Sequence, residues 1–232
     1  MIKQVDITEN FEADNLFLIK IKANSLCYKR YDFCKTFECE ENGKTTAYIN
    51  ILSGNATVYL SESASENEIR SFLLFYGVKN VFCNRPFSLQ NRGIILKYGA
   101  ETDCEKKFCT TVYPDYKSAY SLLKSEFLMP CYNEFVSDLS FRLNKGFSRL
   151  IQTDGGVVFT LWETKTQAII SAIAVEKSKR KSGIGTRLLK SIIADLKQGN
   201  KEIFIYCEEK TKEFYIKNGF LPTGYYFTGE LV

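Results

Sequence analysis

The spacing of apolar residues in the C-terminal half of the chain predicts a regular series of strands and helices. Apolar runs on both sides of Asp154 and Gly155 predict a β-hairpin, and TQAIISAIAV predicts a third strand. From Ile184 to Leu196 the apolar residues follow helical spacing, so we expect an amphipathic helix that ends at Gly199. After this helix we expect a strand at KEIFIYC, a helix at KTKEFYIKNG and a strand at FLPTGYYFTGELV. SAYSLLKSEF and NEFVSDLSFRLNKG predict two helices before the hairpin.

The N-terminal half repeats part of this order of elements. A hairpin is predicted around Asn42 and Gly43, and NATVYLSE, SENEIRSFLLFYG and VKNVFC predict a strand, a helix and a strand. Ser65 is the expected N-cap of that helix, with Glu68 completing a capping box. The repeat predicts two α/β domains, residues 1–107 and 108–232, with a boundary near residues 105–112.

Composition narrows the class of protein. The chain has 232 residues, is 45% hydrophobic and 14% aromatic, and carries a net charge of +4. It can therefore build a core, and its charge is too mild for a dedicated nucleic-acid binder. The N-terminus does not have the pattern of a secretory signal, and the apolar runs are far shorter than the roughly 20 residues that span a bilayer. We expect a cytoplasmic protein with no membrane contact.

The chain contains eight cysteines and no histidine. The cysteines lie among apolar neighbours, which is typical of buried free thiols. Cys34 and Cys39 share their spacing with Cys104 and Cys109, but the spacing is wider than in zinc ribbons, and we expect no metal. Without histidine, acid–base chemistry falls to carboxylates, tyrosine, cysteine, lysine or water.

The sequence EKSKRKSGIGTRLLK, residues 176–190, places a basic run before a Gly-x-Gly turn that opens a helix. Unpaired amides at a helix N-terminus favour phosphate groups. A Walker loop is excluded because Thr186 and Arg187 follow Gly185, and a dinucleotide fingerprint is excluded by Leu188. The basic run alone is typical of a solvated loop, a nuclear signal or a nucleic-acid patch. With the glycines it indicates a pyrophosphate site.

Two motifs in this order of elements resemble those of the GNAT superfamily of acyl-CoA N-acyltransferases. Residues 180–185 (RKSGIG) fit its Arg/Gln-x-x-Gly-x-Gly/Ala signature, and residues 214–220 (FYIKNGF) fit its second motif. The resemblance covers roughly residues 110–232. It implies an α/β (α+β) fold with a mixed, mostly antiparallel central sheet flanked by helices. The smaller N-terminal domain resembles a degenerate copy, in which SESASENEI replaces the glycine turn, so one cofactor per chain is expected.

The resemblance implies acetyl-CoA or another acyl-CoA as the acyl donor. Its pantetheine arm would pair with the strand residues Ile173, Ala174 and Val175, where a backbone N–H polarises the thioester carbonyl. Lys177, Lys179 and Lys181 could add positive charge toward the adenosine 3′-phosphate. The residues expected to hold the pyrophosphate are Arg180, Lys181, Ser182, Gly183, Ile184, Gly185 and Thr186.

The same resemblance assigns the proton transfers. Tyr215 matches the tyrosine that often acts as general acid toward the leaving thiolate. The candidate general bases are Glu163 and Glu208, with Glu176 less favoured. Glu208 stands where the family often has asparagine, so its role departs from the common pattern.

The expected function is an N-acetyltransferase in which a primary amine attacks the acyl donor directly in a ternary complex. The acceptor would be a small-molecule or peptide amine, and a homodimer is possible. The alternatives are a catalytically silent acyl-CoA sensor or scaffold and a nucleic-acid binder. The last ranks lowest, because no aromatic residue interrupts the basic run.

Overall fold

The computed structural model of the protein describes residues 1–100 and 114–231, which form a mixed α/β fold with mostly antiparallel strands flanked by helices. The strands are β1 (Ile2–Gln4), β2 (Cys34–Glu41), β3 (Lys44–Leu52), β4 (Asn55–Leu60), β5 (Asn80–Cys83), β6 (Asn91–Tyr98), β7 (Leu150–Thr153), β8 (Gly156–Glu163), β9 (Gln167–Val175), β10 (Glu202–Cys207) and β11 (Phe220–Glu230). The helices are α1 (Leu16–Cys27), α2 (Glu66–Phe75), α3 (Tyr116–Lys124), α4 (Tyr132–Asn144), α5 (Ile184–Gln198) and α6 (Lys212–Ile216).

The chain divides into two compact units, and each draws on separate stretches of sequence. Unit 1 comprises Met1–Ile95, Tyr206–Lys212 and the segment from Pro222 to the C-terminus. Its strands lie in the order β1-β2-β3-β4-β5-β11, with β4 and β5 parallel and the other pairs antiparallel. The last strand of the chain thus pairs with β5, a strand of the N-terminal half. Helix α2 packs on this sheet through Ile69 and Leu73.

Helix α1 belongs to unit 1 and has no counterpart among the predicted elements. Ten of its twelve residues are buried, so the helix has no exposed polar face. The alternation of a polar and an apolar face is the pattern by which an amphipathic helix is predicted from sequence, and α1 does not show it. The Asn15 side chain caps it by accepting hydrogen bonds from the N–H groups of Phe17 and Leu18 at 3.0 and 3.1 Å. Asn24 donates to Asn50 of β3 at 2.7 Å, which fixes the helix on the sheet.

Unit 2 comprises Glu213–Leu221 and the described residues of Leu96–Ile205. Strand β9 pairs in parallel with β10 and antiparallel with β8, which in turn pairs with β7. Helix α5 buries Leu188, Ile192 and Leu196. Helices α3 and α4 form a second core with β7, β8 and β9.

The structure confirms most of the predicted elements, including both hairpins and the helix that follows the glycine turn. The capping box at Ser65 is wrong, because its side chain caps no amide of α2 in the described structure. The expected boundary near residues 105–112 lies outside the described residues, as do Cys104 and Cys109, and the boundary stays a prediction. No helix within the described ranges is long and apolar enough to cross a membrane.

Candidate active site

The N-terminus of α5 is formed by a glycine in the left-handed region. Gly183 is the N-cap, with φ 81° and ψ 0°, and no side chain among the described residues caps the helix. The helical hydrogen bonds begin with the Arg187 N–H, which donates to the Gly183 carbonyl at 3.0 Å. The preceding amides of the first turn therefore have no partner within the helix. The first turn also contains no acidic residue, so the positive end of this 15-residue helix is left for an anion.

The two glycines of the turn differ in what they require. A Cβ on Gly183 would meet nothing within 4 Å, so the positive φ, and not crowding, favours glycine there. A Cβ on Gly185 would lie 3.7 Å from both Phe214 and Val175, which is ordinary van der Waals contact. The internal packing of the protein therefore does not require Gly185. The open space above Gly183 fits a ligand that approaches the backbone closely.

The basic run before the turn is partly neutralised by nearby acids. Lys179 lies 2.7 Å from Asp154 in the β7–β8 turn, and this hydrogen bond raises the pKa of Lys179. Arg180 lies 2.5 Å from Glu126, which follows α3. In contrast, Lys177 and Lys181 are exposed, and no salt bridge to either exists in the described chain. No sequence pattern predicts the pairing of Glu126, which lies in a loop far from Arg180 along the chain.

One edge of β9 is oriented away from β8 near the glycine turn. The Glu176 N–H donates to Gly155 at 2.8 Å, so the backbone groups of Glu176 face β8. Because backbone groups alternate along an antiparallel strand, those of Ala174 also face β8, and those of Ile173 and Val175 face the opposite edge. The Val175 carbonyl accepts a hydrogen bond from Arg180 Nε at 3.2 Å, in agreement with this alternation.

The other sequence-predicted cofactor residues lie at the same end of α5. Ile184 is buried, whereas Gly185 and Thr186 are half-buried in the first turn of the helix. The Ser182 hydroxyl donates to the Lys179 carbonyl at 2.5 Å and thereby closes the loop. Val175 lies next to Gly185, because a Cβ added to Gly185 would be 3.7 Å from the Val175 side chain. The structure thus brings the end of β9 and the glycine turn together.

Tyr215 lies on α6 and is buried, with 8% of its surface exposed. Its ring packs against Phe214 at 5.1 Å and Phe220 at 6.0 Å between centroids. The Phe214 ring in turn lies beside Gly185, 3.7 Å from the position that a Cβ of that residue would take. The second motif therefore packs against the glycine turn within unit 2.

The three candidate bases have different surroundings. Glu163 is 3% exposed and accepts two hydrogen bonds from Arg149, at 2.6 and 2.7 Å. Lys201 lies 3.2 Å from its second oxygen. Glu208 has a side chain that is 64% exposed and pairs with Lys210 at 2.6 Å. The choice between Glu163 and Glu208 stays a prediction, although the buried ion pairs of Glu163 give it a structural role and Glu208 is the more accessible of the two.

Glu176, the third candidate, is exposed and accepts a hydrogen bond from Ser178 at 2.6 Å. That hydrogen bond lowers the pKa of Glu176, which weakens it as a base. Among the described residues, no group of three or more Cys, Asp or Glu side chains is arranged to hold a metal ion.

Unit 1 contains a strand–helix–strand arrangement, β4–α2–β5, that corresponds to β9–α5–β10 of unit 2. In unit 1, side chains of the protein itself bond to the backbone at the end of the first strand. Strand β4 pairs in parallel with β5 up to Val58 and Cys83. The Asn84 side chain then accepts from the Leu60 N–H and donates to the Leu60 carbonyl, both at 2.8 Å. Arg85 donates to the carbonyl of Ser61 at 3.0 Å. An amide side chain thus occupies the β4 edge in unit 1.

Comparisons with known proteins agree with this geometry. Residues 145–222 match the family model of the acetyltransferase (GNAT) domain. The C-terminal half of the chain carries a GNAT domain. The matched residues include the glycine turn and Tyr215. A search of curated proteins finds no match.

The solved structures that resemble the chain extend beyond the GNAT domain. A GCN5-related N-acetyltransferase from Sphaerobacter thermophilus is 14% identical, with a TM-score of 0.62 over 96% of this chain and 88% of that one. A GNAT-family acetyltransferase from Colwellia psychrerythraea is 10% identical, with a TM-score of 0.57 over 99% of both chains. A tandem GNAT protein of the clavulanic acid biosynthesis pathway is 12% identical, with a TM-score of 0.55 over 100% of this chain and 99% of that one.

At these identities the structural likeness shows the fold alone. The GNAT domain itself supports acyl transfer as the general chemistry of the chain, because GNAT acetyltransferases use acyl-CoA.

Proposed function

We propose that the protein is an acyl-CoA N-acyltransferase that transfers an acetyl or other acyl group to a primary amine. The observation that carries this proposal is the N-terminus of α5. There, Gly183 provides a left-handed N-cap, no side chain within residues 1–100 and 114–231 caps the helix, and the space above the glycine is open. A pyrophosphate is the group that such a helix end holds well.

The residues at this end of unit 2 have complementary roles in holding an acyl-CoA. The amides of Ile184, Gly185 and Thr186 would bind the pyrophosphate, and the exposed Lys177 and Lys181 would add charge. The backbone groups of Ile173 and Val175 face away from β8 and suit the amides of the pantetheine arm. One of these N–H groups would polarise the thioester carbonyl, a contribution typically worth a few kcal/mol.

The protein supplies two proton transfers in the proposed reaction. The acceptor amine forms a C–N bond to the acyl carbon, and the C–S bond of the donor breaks. Glu208 would take the proton from the amine, directly or through water, and Tyr215 would give a proton to the leaving sulfur. Glu163 is left out because its ion pairs with Arg149 and Lys201 stabilise the fold.

The first test is calorimetric titration of acetyl-CoA into the wild-type protein and a Gly183→Glu variant. We expect one equivalent bound per wild-type chain and no binding by the variant, because the added carboxylate repels the pyrophosphate. The matched control is Gly54→Glu, since Gly54 has φ 76° and nothing within 4 Å of an added Cβ. The control isolates the strain of a side chain at positive φ. Equal binding by Gly183→Glu and the control would refute this site.

Turnover is tested by thiol release with a panel of amines. We expect Tyr215→Phe to lower kcat by about 10²- to 10⁴-fold, the range for loss of a general acid, with an unchanged Kd for acetyl-CoA. Tyr225→Phe is the control, because Tyr225 is 50% exposed. An unchanged kcat would remove Tyr215 from the mechanism. Binding without release by the wild type would favour the silent sensor or scaffold.

A further inference from the structure

An arginine of the glycine turn in unit 2 lies over the outward edge of β9. Arg180 Nε donates a hydrogen bond to the Val175 carbonyl at 3.2 Å. That carbonyl is on the edge of β9 that faces away from β8, which is the edge that suits the pantetheine arm of an acyl-CoA. Arg180 therefore covers a backbone group that the donor would use.

A carboxylate from the loop between α3 and α4, residues 125–131, holds the guanidinium in this position. Arg180 Nη2 lies 2.5 Å from Glu126 Oε1. The Ser125 hydroxyl donates to the same oxygen at 3.2 Å, and the side chain of Glu126 is 25% exposed. Because the donors of a guanidinium form a rigid fork, bonds to a carboxylate and to a backbone carbonyl together fix its orientation.

The same loop presents apolar side chains to solvent just after Glu126. The Glu126 and Phe127 amides both donate to the Leu123 carbonyl, at 3.0 and 2.9 Å, and so continue the end of α3. Beyond them, Phe127 is 43% exposed and Leu128 is fully exposed. The salt bridge between Glu126 and Arg180 thus ties an exposed loop to the glycine turn.

We propose that Glu126 competes with the pyrophosphate of an acyl-CoA for Arg180, so that donor binding displaces the carboxylate, uncovers the edge of β9 and releases the α3–α4 loop. This inference rests on the proposed function, since it assumes that the donor binds at the N-terminus of α5. A pyrophosphate carries more negative charge than one carboxylate and has several oxygens that match the guanidinium fork. The helix N-terminus attracts the pyrophosphate as well.

The energetics of such a switch follow from what each arrangement can bind. A ligand shifts an equilibrium only as far as it binds one arrangement better than the other. With Glu126 displaced, the donor can bond both Arg180 and the Val175 carbonyl, whereas with the salt bridge formed it can bond neither fully. The salt bridge is partly exposed and therefore weak, so a pyrophosphate can replace it.

Hydrogen–deuterium exchange tests the release of the loop. The Glu126 and Phe127 amides are hydrogen-bonded, so their exchange reports opening of the loop. We expect acetyl-CoA to slow exchange at residues 183–187 and to speed it at residues 125–131 by up to about fivefold, the factor that an exposed ion pair supplies. In Glu126→Gln the loop should exchange at the faster rate without acetyl-CoA. A wild-type loop that acetyl-CoA protects or leaves unchanged would overturn the proposal.

Calorimetry tests the competition. We expect Glu126→Gln to bind acetyl-CoA about two- to fivefold more tightly than the wild type. Glu202→Gln is the matched control, because it removes one charge and one exposed salt bridge, to Lys97 at 2.6 Å, near Gln167 where β9 begins. Its Kd should equal that of the wild type. An equal gain in both variants would reduce the effect to net charge, and no gain in Glu126→Gln would refute the competition.

A double-mutant cycle distinguishes competition for Arg180 from direct repulsion between Glu126 and the donor. Arg180→Gln removes the ion pair and keeps a residue that the GNAT signature accepts at this position. In that background Glu126→Gln should leave the Kd for acetyl-CoA unchanged. A gain in affinity that persists without Arg180 would show direct repulsion and contradict the proposal.

Inorganic pyrophosphate separates the failure of this inference from that of the proposed function. Faster exchange of the loop with pyrophosphate, without any binding of acetyl-CoA, would retain the competition for Arg180 and refute the transferase. Binding and turnover of acetyl-CoA, with unchanged loop exchange and an unchanged Kd in Glu126→Gln, would retain the transferase and refute the competition.

Discussion

At the scale of single residues, burial and pairing distinguish carboxylates that look alike in sequence. Glu163 ends β8 and is surrounded by Arg149, Lys201 and the Thr160 hydroxyl at 2.9 Å. Glu208 follows β10 and is largely open to solvent. A base must exchange protons with its surroundings, whereas a buried carboxylate with two cationic partners mainly fixes the strands that carry them.

The role of Glu163 can be tested by Glu163→Gln. The substitution leaves Arg149 and Lys201 without their counter-charge, so we expect a loss of about 3 kcal/mol in the free energy of unfolding, measured in urea. Glu176→Gln, at an exposed position, should leave the free energy of unfolding nearly unchanged. A fully stable Glu163→Gln protein that has lost turnover would instead restore Glu163 as the base.

Lys20 gives a pH-dependent prediction at the same scale. Its pKa is lowered from 10.5 to about 8 in the folded protein, so folding disfavours the charged amine. Lys20→Met should therefore be more stable than the wild type at pH 7. The wild type regains this stability as the pH rises from about 8 toward 10.5, where the unfolded chain also loses the proton. Urea unfolding across this range measures the difference, and a wild type that is more stable than the variant at pH 7 would contradict it.

At the scale of elements, the two units share a strand–helix–strand arrangement but differ in what lies at the N-terminus of its helix. In unit 2 the turn before α5 leaves the helix end open and the edge of β9 oriented outward. In unit 1 Asn84 pairs with the backbone of Leu60, and Glu66 in the first turn of α2 pairs with Arg85 at 3.2 Å. Acids at that helix N-terminus repel a phosphate, so we expect a single acyl-CoA site per chain.

Asn84→Ala tests whether this side chain stabilises unit 1. The variant leaves the Leu60 N–H and carbonyl without their side-chain partner, so we expect a loss of about 1–3 kcal/mol in the free energy of unfolding. Asn80→Ala is the control, because the Asn80 side chain bonds to Asn55 at an exposed position. The acetyl-CoA stoichiometry should remain one in both. A second equivalent bound by the wild type would refute the account of unit 1.

At the scale of the whole molecule, sequence order and spatial units do not coincide. Residues 227–230 of β11 pair with β5. The N-terminal half by itself therefore lacks a strand of its own unit, and β5 would expose an unpaired edge.

A fragment of residues 1–107 tests this dependence. We expect it to be unfolded or aggregated by circular dichroism and size-exclusion chromatography, and to gain structure when a peptide of residues 220–231 is added. A scrambled peptide is the control. A fragment that folds cooperatively alone would support the boundary predicted from sequence instead.

The sequence by itself determined the features that depend on local pattern. Apolar periodicity located α5, turn signals located both hairpins, and the two glycine-containing motifs indicated the GNAT resemblance, because each arises from residues near one another in the chain. Tertiary structure alone decided the rest. Helix α1 has no polar face to detect, Glu163 meets Arg149 only when strands pair, and Asn84 reaches Leu60 across 24 positions. Lys20 of α1 lies over the Phe82 ring of β5, and no local pattern encodes such a contact.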